Sequence, residues 1–449
     1  METSKLSVLI LAAGVGARMN SRRPKVMHEL AGLPMIRYVL DTAEKLSPEQ
    51  IVVVIGPDMP EVASVVAPHM TVIQEERLGT GHAVMAACND ISGAEGDVII
   101  LFGDTPRIQL NTLQTMLMKR RNGSTPAVVV LGMNPDDPGQ YGRLITDHGG
   151  GLRAIIEYQD ADPDEREIGL VNSGVIAVDR LLLKEFLSDL TNENSKGEYY
   201  LTGIIAAARA RGHGASYVEG SPDELVGVNS RSELARVENQ VQMELRERSM
   251  ANGVTLTVPE TVHFSADTIL GSDVIIEPYV VFGPGVRVEN NVTIRSFSHL
   301  EGSHILDGAI VGPFARLRAG SNIGEGARIG NFVEIKNATL GEGVKANHLT
   351  YLGDAHVGAH SNIGAGTITC NYDGFEKWPT EVGAGAFIGS NTSLVAPVKI
   401  GKDAVTGAGS VISSDVPEDA LGVTRSEQKT IHHWAARKRN RKSNSDLKE

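Results

Sequence analysis

A six-residue spacing of apolar side chains runs through the second half of the chain, from Phe264 to Ile412. A helix requires a period of about 3.6 residues and a flat strand a period of 2, so this spacing fits neither. It fits a coil of short parallel strands joined by tight corners, in which each unit points one aliphatic side chain inward. The pattern therefore predicts a parallel β-helix, and the period alone leaves its handedness open. The predicted inward positions are Phe264, Leu270, Ile276, Phe282, Val288, Ile294, Leu300 and Leu306, then Ile305, Val311, Leu317, Ile323, Ile329 and Ile335, then Val357 and Ile363, and finally Val382, Ile388, Leu394, Ile400, Thr406 and Ile412.

Two polar interruptions of this spacing are predicted, one at 336–351 and one at 370–380. Functional residues are expected at such breaks, because regular coils are committed to packing. The first break carries His348, whose imidazole titrates near neutrality and can accept a proton from an amine that attacks a thioester. Arg318, Lys336 and Lys377 are separated by whole coils or a loop, so they can converge on a sugar phosphate. Cys370 has no base at a suitable spacing and is predicted to pack passively.

Composition limits the number of domains and the class of partner. A chain of 449 residues is too long for one core, and two or three domains are expected. Aromatic residues are only 4% of the chain while 49 residues are glycine, which suits a solenoid with a slim interior. Acidic residues outnumber basic ones by 55 to 42, which argues against nucleic acid as the main partner. Any anionic ligand must therefore be held by local basic clusters.

Cysteine usage and hydropathy bear on the cellular compartment. The two cysteines, Cys88 and Cys370, are far apart and lack metal-ligand spacing, so neither a disulfide nor a zinc site is expected. The polar residues 1–5 lead directly into a predicted strand, and no apolar run is long enough to insert into a membrane. We therefore expect a reducing, cytoplasmic location.

The first half of the chain alternates apolar runs of strand length with helix-compatible segments, which predicts a doubly wound α/β sheet. The predicted strands are Leu6–Ala12, Ile51–Ile55, Val98–Phe102, Ala127–Leu131 and Val175–Val178, and the predicted helices include Met35–Lys45 and Asn111–Lys119. Ligands of such sheets bind over the carboxyl ends of the strands. The glycine-rich stretch 13–19 follows the first strand directly, where glycines, exposed amides and a helix N-terminus would favour a phosphate.

The glycine loop matches neither common phosphate-binding fingerprint. Met19 stands where a dinucleotide motif has its third glycine, and no Gly-Lys-Ser/Thr closes a P-loop. Four basic residues follow closely, at Arg18, Arg22, Arg23 and Lys25. They form either a solvated helix face or a triphosphate cradle, and the glycine-rich turn after a buried strand favours the cradle.

Asp104 is placed at the carboxyl end of the predicted strand Val98–Phe102. It can cap a helix that starts near Pro106, or it can act as a hard oxygen ligand for a phosphate-bridging Mg²⁺. The segment 74–83 ends in a Gly-Thr-Gly loop before a helix, and could face a base or a phosphate.

A single helix is predicted between the two halves. Its start is indicated by Ser230–Glu233, which has the form of a capping box. One apolar stripe follows, formed by Leu234, Val237, Val241 and Leu245. Its end is indicated by the stop signal Asn252-Gly253. A helix of about 20 residues spans about 30 Å, enough to separate two domains. We predict domains at 1–229 and 253–449 joined by a linker helix at 230–252; the alternative is a surface helix of the first domain.

Several short motifs of the first half occur in an order typical of one enzyme family. They are Leu11–Met19 with Pro24 and Lys25, Leu78–Ala83, Gly103-Asp104, Tyr141–Arg143, Glu157, Asn172–Gly174 and Gly227–Asn229. This set resembles the sugar-phosphate nucleotidyltransferases, and the segment 78–83 resembles the branch that makes UDP-N-acetylglucosamine. Together with the β-helix, residues 6–425 resemble the bacterial bifunctional N-acetylglucosamine-1-phosphate uridyltransferases and glucosamine-1-phosphate acetyltransferases. These enzymes supply precursors of peptidoglycan and lipopolysaccharide.

The resemblance implies roles for residues of the first half. The uracil and ribose of UTP would be contacted by Leu11, Ala12, Ala13, Gly14 and Gln74. The base would have Gly79 and Thr80 beside it. The triphosphate charge would be balanced by Lys25 and Arg18. Asp104 and Asn229 would hold Mg²⁺, while Gly142, Glu157 and Asn172 would read the sugar and its N-acetyl group. The sugar phosphate attacks the α-phosphorus of UTP in line and pyrophosphate leaves, a step that depends on positioning and charge neutralisation. Phe102 departs from the family pattern, in which a tyrosine often precedes Gly-Asp.

The resemblance also implies roles in the second half. His348 would be the general base, and glucosamine-1-phosphate would be bound by Arg318, Lys336, Tyr351, Asn362 and Lys377. The acetyl-CoA site would be lined by Ala365, Asn371, Tyr372, Ser390, Ala408 and Arg425. The family's β-helix is left-handed and forms homotrimers whose active sites are shared between subunits. Acetyl transfer would come first, because its N-acetylated product is the substrate of the other half.

Two alternatives to a bifunctional enzyme have distinct expectations. A β-helix that only assembles or regulates a pyrophosphorylase would lack a basic, His-bearing break, and a non-catalytic relative would have lost Lys25, Asp104 or Asn229. All of these features are present, so the bifunctional enzyme is favoured. The basic run 437–442 near the end predicts a disordered tail, with capture of a cofactor phosphate as the alternative.

Overall fold

The computed structural model describes residues 5–91, 95–122 and 125–445, with side chains through Asn440. The chain divides into two compact units, Met1–Met243 and Glu244–Glu449. The division falls within one continuous helix, Arg231–Ala251, which matches the helix predicted between the halves. The finer domain limits at residues 229 and 252 stay predictions.

The first unit contains a nine-stranded mixed sheet with helices on both faces. Its strands are β1 Leu6–Leu11, β4 Gln50–Ile55, β5 Met70–Ile73, β6 Asp97–Phe102, β7 Val128–Met133, β8 Arg143–Thr146, β9 Leu152–Ile156, β10 Val171–Asp179 and β11 Ala215–Glu219, and a separate hairpin is formed by β2 Glu29–Leu30 and β3 Leu33–Pro34. The spatial order is β11-β7-β10-β6-β1-β4-β5, with β8 and β9 attached through β10. The helices are α1 Met35–Lys45, α2 Pro60–Val66, α3 Thr80–Ala87, α4 Leu110–Arg121, α5 Pro163–Arg166, α6 Arg180–Ser188, α7 Ile204–Ala210, α8 Pro222–Leu225 and α9 Arg231–Ala251.

Strand β1 is the centre of this sheet because it is buried on both faces. Val8 and Ile10 belong to one hydrophobic cluster, and Leu9 and Leu11 belong to the other. Each such aliphatic side chain contributes about 1.5–3 kcal/mol on burial, so a continuous apolar run is stable only between two helical layers. The prediction of a doubly wound sheet is confirmed.

Along the main path of seven strands, from β11 to β5, β10 is the one strand that runs against its neighbours. β1 is parallel to β4 and β6, whereas β10 is antiparallel to both β6 and β7. The apolar run at 175–178 predicted a strand but carried no information about its direction. Direction is decided by the long excursion through β8 and β9, which returns the chain to the opposite end of the sheet.

The second unit is a coil of parallel strands on three faces. The first face contains Thr255–Leu256, Ile275–Ile276, Thr293–Ile294, Ile310–Val311, Arg328–Asn331, Lys345–His348, Asn362–Ile363, Phe387–Ile388, Val405–Thr406 and Leu421–Gly422. The second face contains Val281–Phe282, His299–Leu300, Arg316–Leu317, Glu334–Lys336, Tyr351–Gly353, Ile368–Cys370, Ser393–Val395 and Val411–Ile412. The third face contains Ile269–Leu270, Arg287–Val288, Ser303–Ile305, Ser321–Ile323, Thr339–Leu340, Ala355–Val357, Thr380–Val382 and Val398–Ile400. The predicted parallel β-helix is confirmed.

Nearly all of the predicted inward positions are buried. The exceptions are Leu306, which is 38% exposed while Ile305 is fully buried, and Leu270, which is half-buried. The corner between Leu300 and Ile305 is one residue shorter than usual, so these two inward positions are five residues apart instead of six. That shift places Leu306 outside the core.

The first predicted interruption, at 336–351, was wrong. Strands Thr339–Leu340, Lys345–His348 and Tyr351–Gly353 continue the coil through it, with Leu340, Ala346 and Leu352 pointing inward and buried. The spacing only shortens by one residue between Ile335 and Leu340, and a small alanine replaces an aliphatic side chain. The second interruption is real, because Val357 pairs with Val382 across an inserted loop.

The basic tail is helical rather than disordered. A helix, α10, runs Trp434–Ser445, and Lys438 Nζ lies 4.9 Å from the centre of the Trp434 ring. Alanine, arginine and lysine have high helix propensity, which the charge run alone does not reveal. Within the described residues no helix is both long enough and apolar enough to cross a membrane.

Candidate active sites

A cavity of about 420 Å³ opens in the first unit, at the carboxyl ends of β1 and β6. Leu11 and Phe102, the last residues of these parallel strands, are paired in register, so the segments that follow them lie side by side. Ten of the predicted nucleotide and metal residues line the cavity: Leu11, Ala12, Ala13, Gly14, Lys25, Gln74, Gly79, Thr80, Asp104 and Asn229. Four segments distant in sequence, at 11–25, 74–80, 104 and 229, are thereby brought to one site.

The glycine loop differs in one respect from its prediction. It leads into a short 3-10 turn, Ala17–Met19, instead of an α-helix, so no helix dipole faces the cavity from this loop. Gly16 has a φ of +73°, and a Cβ there would lie 2.7 Å from the Cβ of Lys25. The glycine therefore lets the Lys25 side chain pass close to the loop and reach the cavity.

Lys25 connects the two residues predicted to hold a metal. Its Nζ donates hydrogen bonds to Asp104 Oδ2 and to Asn229 Oδ1, the latter at 3.0 Å. All three side chains line the cavity, and α4 begins only at Leu110, so Asp104 does not cap that helix. Asn229 is fixed in turn by Glu233 of α9, whose carboxylate accepts a hydrogen bond from the Asn229 backbone N–H at 2.7 Å.

The donor set at this point suits Mg²⁺. One carboxylate and one amide oxygen converge on a single position, the Lys25 ammonium. Mg²⁺ is bound by one or two carboxylates with water and phosphate oxygens completing its shell, and not by a full protein cage. No group of three or more His, Cys, Asp or Glu side chains that could hold a metal occurs among the described residues.

Gln74 presents a hydrogen-bond acceptor to the cavity. Its Nε2 donates to Gly79 O at 3.1 Å and to His82 Nδ1 at 3.2 Å. Its Oε1 has no hydrogen-bond partner in the described part of the chain. Because Gln74 is buried and lines the cavity, this oxygen is the group it offers to a ligand.

The three residues predicted to read the sugar lie together beside the cavity. Asn172 N donates to Gly142 O at 2.8 Å, and a Cβ on Gly142 would lie 3.6 Å from Glu157 Cδ. Burial raises the pKa of Glu157, and a hydrogen bond of 3.0 Å from Thr202 Oγ1 opposes the shift. Glu157 and Thr202 line a second cavity of about 700 Å³. Thr202 was missed by sequence reasoning because only the fold brings it to Glu157.

Other basic and aromatic residues differ from expectation. Arg18 is exposed and does not line the 420 Å³ cavity, whereas Arg77, not predicted, lines it and donates from Nε to Ala13 O at 2.9 Å. Arg77 falls inside the predicted loop 74–83, which was the available signal. The ring of Phe102 packs on Gly174, where φ is +96° and a Cβ would lie 2.8 Å from the ring.

Three cations converge in the second unit, as predicted. The Lys377 ammonium, followed by the guanidinium of Arg318, lowers the pKa of Lys336. Burial works against ionisation of Asp354, but hydrogen bonds from Asn337 and Asn371, with the nearby lysines, hold its pKa below the usual range. Cations that repel one another at close range form a ready site for an anion such as a phosphate.

His348 is exposed at the end of a first-face strand, not in a break of the coil. Its Nδ1 lies 2.8 Å from Asn331 Oδ1, on the preceding strand of the same face. Asn331 was missed by sequence reasoning. The only signal was that it lies one coil before His348 in a repeat whose corners are irregular in length.

The remaining predicted residues lie on neighbouring coils. Tyr351 pairs with Glu334 on the second face, and Asn362 pairs with Lys345 on the first. Arg425 Nη1 donates to Ala408 O at 2.9 Å, so two residues predicted to line the acetyl-CoA site are in contact. The other four are placed as follows: Ala365 O accepts from Asn391 N, Ser390 O accepts from Gly409 N, Asn371 is buried against Asp354, and Tyr372 is exposed on the inserted loop.

Comparison with known proteins agrees with this architecture. Residues 8–161 match the MobA-like NTP transferase domain, residues 257–371 match the GMPPB C-terminal domain, and residues 379–414 match the bacterial transferase hexapeptide (six repeats). The fold and sites therefore define a nucleotidyltransferase joined to a left-handed β-helix of hexapeptide repeats.

Full-length relatives identify the family. "Bifunctional protein GlmU" of Paramagnetospirillum magneticum is 57% identical over 97% of both chains, and that of Rhodospirillum rubrum is 56% identical over 97% of both. The protein of the same name from Azorhizobium caulinodans is 51% identical over 97% of this chain and 98% of its own. The chain belongs to the bifunctional GlmU family. It is a bifunctional enzyme with uridyltransferase and glucosamine-1-phosphate acetyltransferase activities.

Proposed function

We propose that the 420 Å³ cavity transfers UMP from UTP to N-acetylglucosamine-1-phosphate, and that the His348 site acetylates glucosamine-1-phosphate with acetyl-CoA. One observation carries this assignment: each unit has its own cluster of polar groups suited to one of the two reactions. Acetylation comes first, because it makes the substrate of the uridyl transfer. UTP and acetyl-CoA are cytoplasmic metabolites, and both cysteines are free, so we place the enzyme in the cytoplasm.

Uridyl transfer depends on positioning and on charge neutralisation. Gln74 Oε1 accepts a hydrogen bond from the N3–H of uracil, which cytosine lacks, and the glycine loop lies along the ribose and phosphates. Lys25, assisted by Arg18 from the rim, balances the triphosphate charge. Gly142, Glu157 and Asn172 hold the N-acetyl sugar, so that its phosphate attacks the α-phosphorus in line with the departing pyrophosphate. Asp104 and Asn229 would hold Mg²⁺, which would supply neutralisation of the phosphate charge.

Acetyl transfer requires a base and an anion site. Arg318, Lys336 and Lys377 bind the phosphate of glucosamine-1-phosphate, and Tyr351 and Asn362 contact its sugar. His348 accepts the proton of the attacking amine. Ala365, Asn371, Tyr372, Ser390, Ala408 and Arg425 line the acetyl-CoA site.

We also propose that the β-helix assembles as a homotrimer through a ladder of exposed aromatic rings. Tyr279, Phe297, Phe314 and Phe332 stack at 4.9–5.2 Å along the corner between the first and second faces, and each is between 45% and 56% exposed. Their φ values lie between +55° and +61°, which bulky side chains disfavour. Exposed apolar patches of this kind are usually covered by a partner. The next coil places Leu349, beside His348, at the same corner.

Replacing both Phe297 and Phe314 by Asn is expected to dissociate the trimer. Asn tolerates a left-handed φ, so the coil is kept while the apolar ladder is interrupted. Sedimentation should give a monomer mass at concentrations where the parent is trimeric. Thiol release should fall, while pyrophosphate release from UTP and directly supplied N-acetylglucosamine-1-phosphate is unchanged. Ile269→Asn, an exposed site on the third face, serves as the control. An unchanged trimer in the double variant would refute this interface.

The assignment of the two reactions is tested by one assay of the purified protein. Glucosamine-1-phosphate, acetyl-CoA, UTP and Mg²⁺ are supplied together, and free thiol and pyrophosphate are followed separately. Chelation with EDTA is expected to stop pyrophosphate release and to leave thiol release unchanged, because Asp104 and Asn229 belong only to the first site. Equal loss of both signals under EDTA would contradict the assignment of Mg²⁺ to that site alone.

A further inference from the structure

The side chain closest to the proposed base is Asn331. The parallel strands Arg328–Asn331 and Lys345–His348 are in register, so that Asn331 and His348 are direct partners on the same face. Their side chains meet at 2.8 Å between Asn331 Oδ1 and His348 Nδ1. An amide oxygen can only accept a hydrogen bond, so the proton of the neutral imidazole must be on Nδ1. The lone pair of Nε2 is then directed away from Asn331.

We propose that Asn331 is a positioning residue that holds His348 in the Nδ1–H tautomer and so keeps Nε2 available as the base. The inference rests on the proposed role of His348. In the reaction the amine nitrogen forms a bond to the thioester carbonyl carbon, the C–S bond breaks, and the thiolate leaves as free thiol. Nε2 takes the proton that the amine loses and later passes it to the thiolate or to solvent, so charge and atoms balance.

The neutral character of Asn331 is part of its role. An aspartate in its place would also accept from Nδ1, but its negative charge would favour the imidazolium and raise the pKa of His348. The pair's own strands also carry the cations Arg328 and Lys345, and the next strand of the same face carries the uncharged Asn362. The adjoining second face carries Tyr351 and Glu334. An uncharged acceptor fixes the tautomer without adding a negative charge beside the base.

Two variants of Asn331 separate orientation from charge. Asn331→Leu keeps the size and removes the acceptor, so kcat for thiol release should fall on the order of 10- to 100-fold, part of what a general base contributes. KM for both substrates should stay within about 2-fold, since Asn331 is not assigned to either. Asn331→Asp should keep the tautomer and move the acidic limb of the kcat/KM profile to higher pH, with activity recovered above that limb.

Controls in the same chain make the result specific. Asn322→Leu replaces an exposed outward asparagine on a third-face strand and should leave thiol release unchanged. Pyrophosphate release from UTP and directly supplied N-acetylglucosamine-1-phosphate reports that the first unit of each variant is intact, and thermal unfolding reports the folding of the coil. In ¹⁵N spectra of the parent, the His348 resonances, assigned by their absence in His348→Ala, should show a protonated Nδ1.

The outcomes distinguish this inference from the proposed function. If His348→Ala abolishes thiol release but Asn331→Leu leaves kcat unchanged, the base stands and the positioning role of Asn331 is overturned. An acidic limb that stays in place in Asn331→Asp, or a protonated Nε2 in the spectra, overturns it as well. If His348→Ala itself releases thiol at the parent rate, the base assignment fails first and the inference fails with it.

Discussion

Replacing His348 by Ala is expected to lower thiol release from acetyl-CoA by roughly 100- to 10,000-fold, the usual contribution of a general base. Pyrophosphate release from UTP, measured with N-acetylglucosamine-1-phosphate supplied directly, should remain at the parent rate, because His348 belongs to the second unit and the nucleotide cavity to the first. The side chain is exposed, so its removal leaves no cavity in the core and should change the free energy of unfolding by less than about 0.5 kcal/mol. Both products are measured on one preparation.

A second exposed histidine provides the matched control for this experiment. His356 points outward from the third-face strand Ala355–Val357, and His356→Ala should leave both activities unchanged. Thiol release at the normal rate in His348→Ala would exclude this residue as the base. Equal losses in both histidine variants would indicate a general effect on the coil.

Replacing Asp104 by Ala is expected to lower pyrophosphate release on the order of 100-fold or more, since a phosphate-bound metal supplies several kcal/mol of charge stabilisation. The substitution removes the carboxylate that faces Lys25 and leaves Asn229 as the other proposed ligand. Thiol release should be unaffected. Asp104→Asn, which keeps the size but not the charge, should lose most of the activity too, and added Mg²⁺ should not restore the Ala variant.

The control for Asp104 is an exposed carboxylate of the same unit. Asp136→Ala should keep full activity, and thermal unfolding of all three variants should show that the sheet is intact. UTP with Mg²⁺ should raise the unfolding temperature of the parent more than that of either Asp104 variant. A ligand that binds the folded protein more weakly stabilises it less. Parent-like pyrophosphate release in Asp104→Ala would remove this residue from the metal site.

Local patterns selected residues of the first half that line one cavity. The glycine loop, Lys25, Asp104 and Asn229 each follow an apolar run or precede a helix, and the parallel register of β1 and β6 then places their segments together. Contacts between distant segments were not predictable in this way. The hydrogen bond between Thr202 and Glu157, and the place of Arg77 beneath the glycine loop, depend on how helices and loops fold back over the sheet.

In the second unit the spacing predicted the coil but misjudged its corners. A step of five residues instead of six, as between Ile335 and Leu340, looks like a break in the sequence although the strands continue. His348 was selected for lying in such a break, whereas in the structure it lies on a continuous strand and contacts Asn331, one coil away. Which residues stack is fixed by the exact length of every intervening corner, and that length is set by packing.

The sequence by itself indicated the two architectures, since alternating apolar runs and helical segments favour a buried parallel sheet, and a six-residue apolar spacing favours a coil of short strands. It also determined which chemical groups were available, because the residue types that bind phosphate or move protons are few. Only the tertiary structure decided which groups meet, the direction of β10 and the neighbour of His348. These depend on contacts between segments far apart in the chain, whose free energies no local pattern contains.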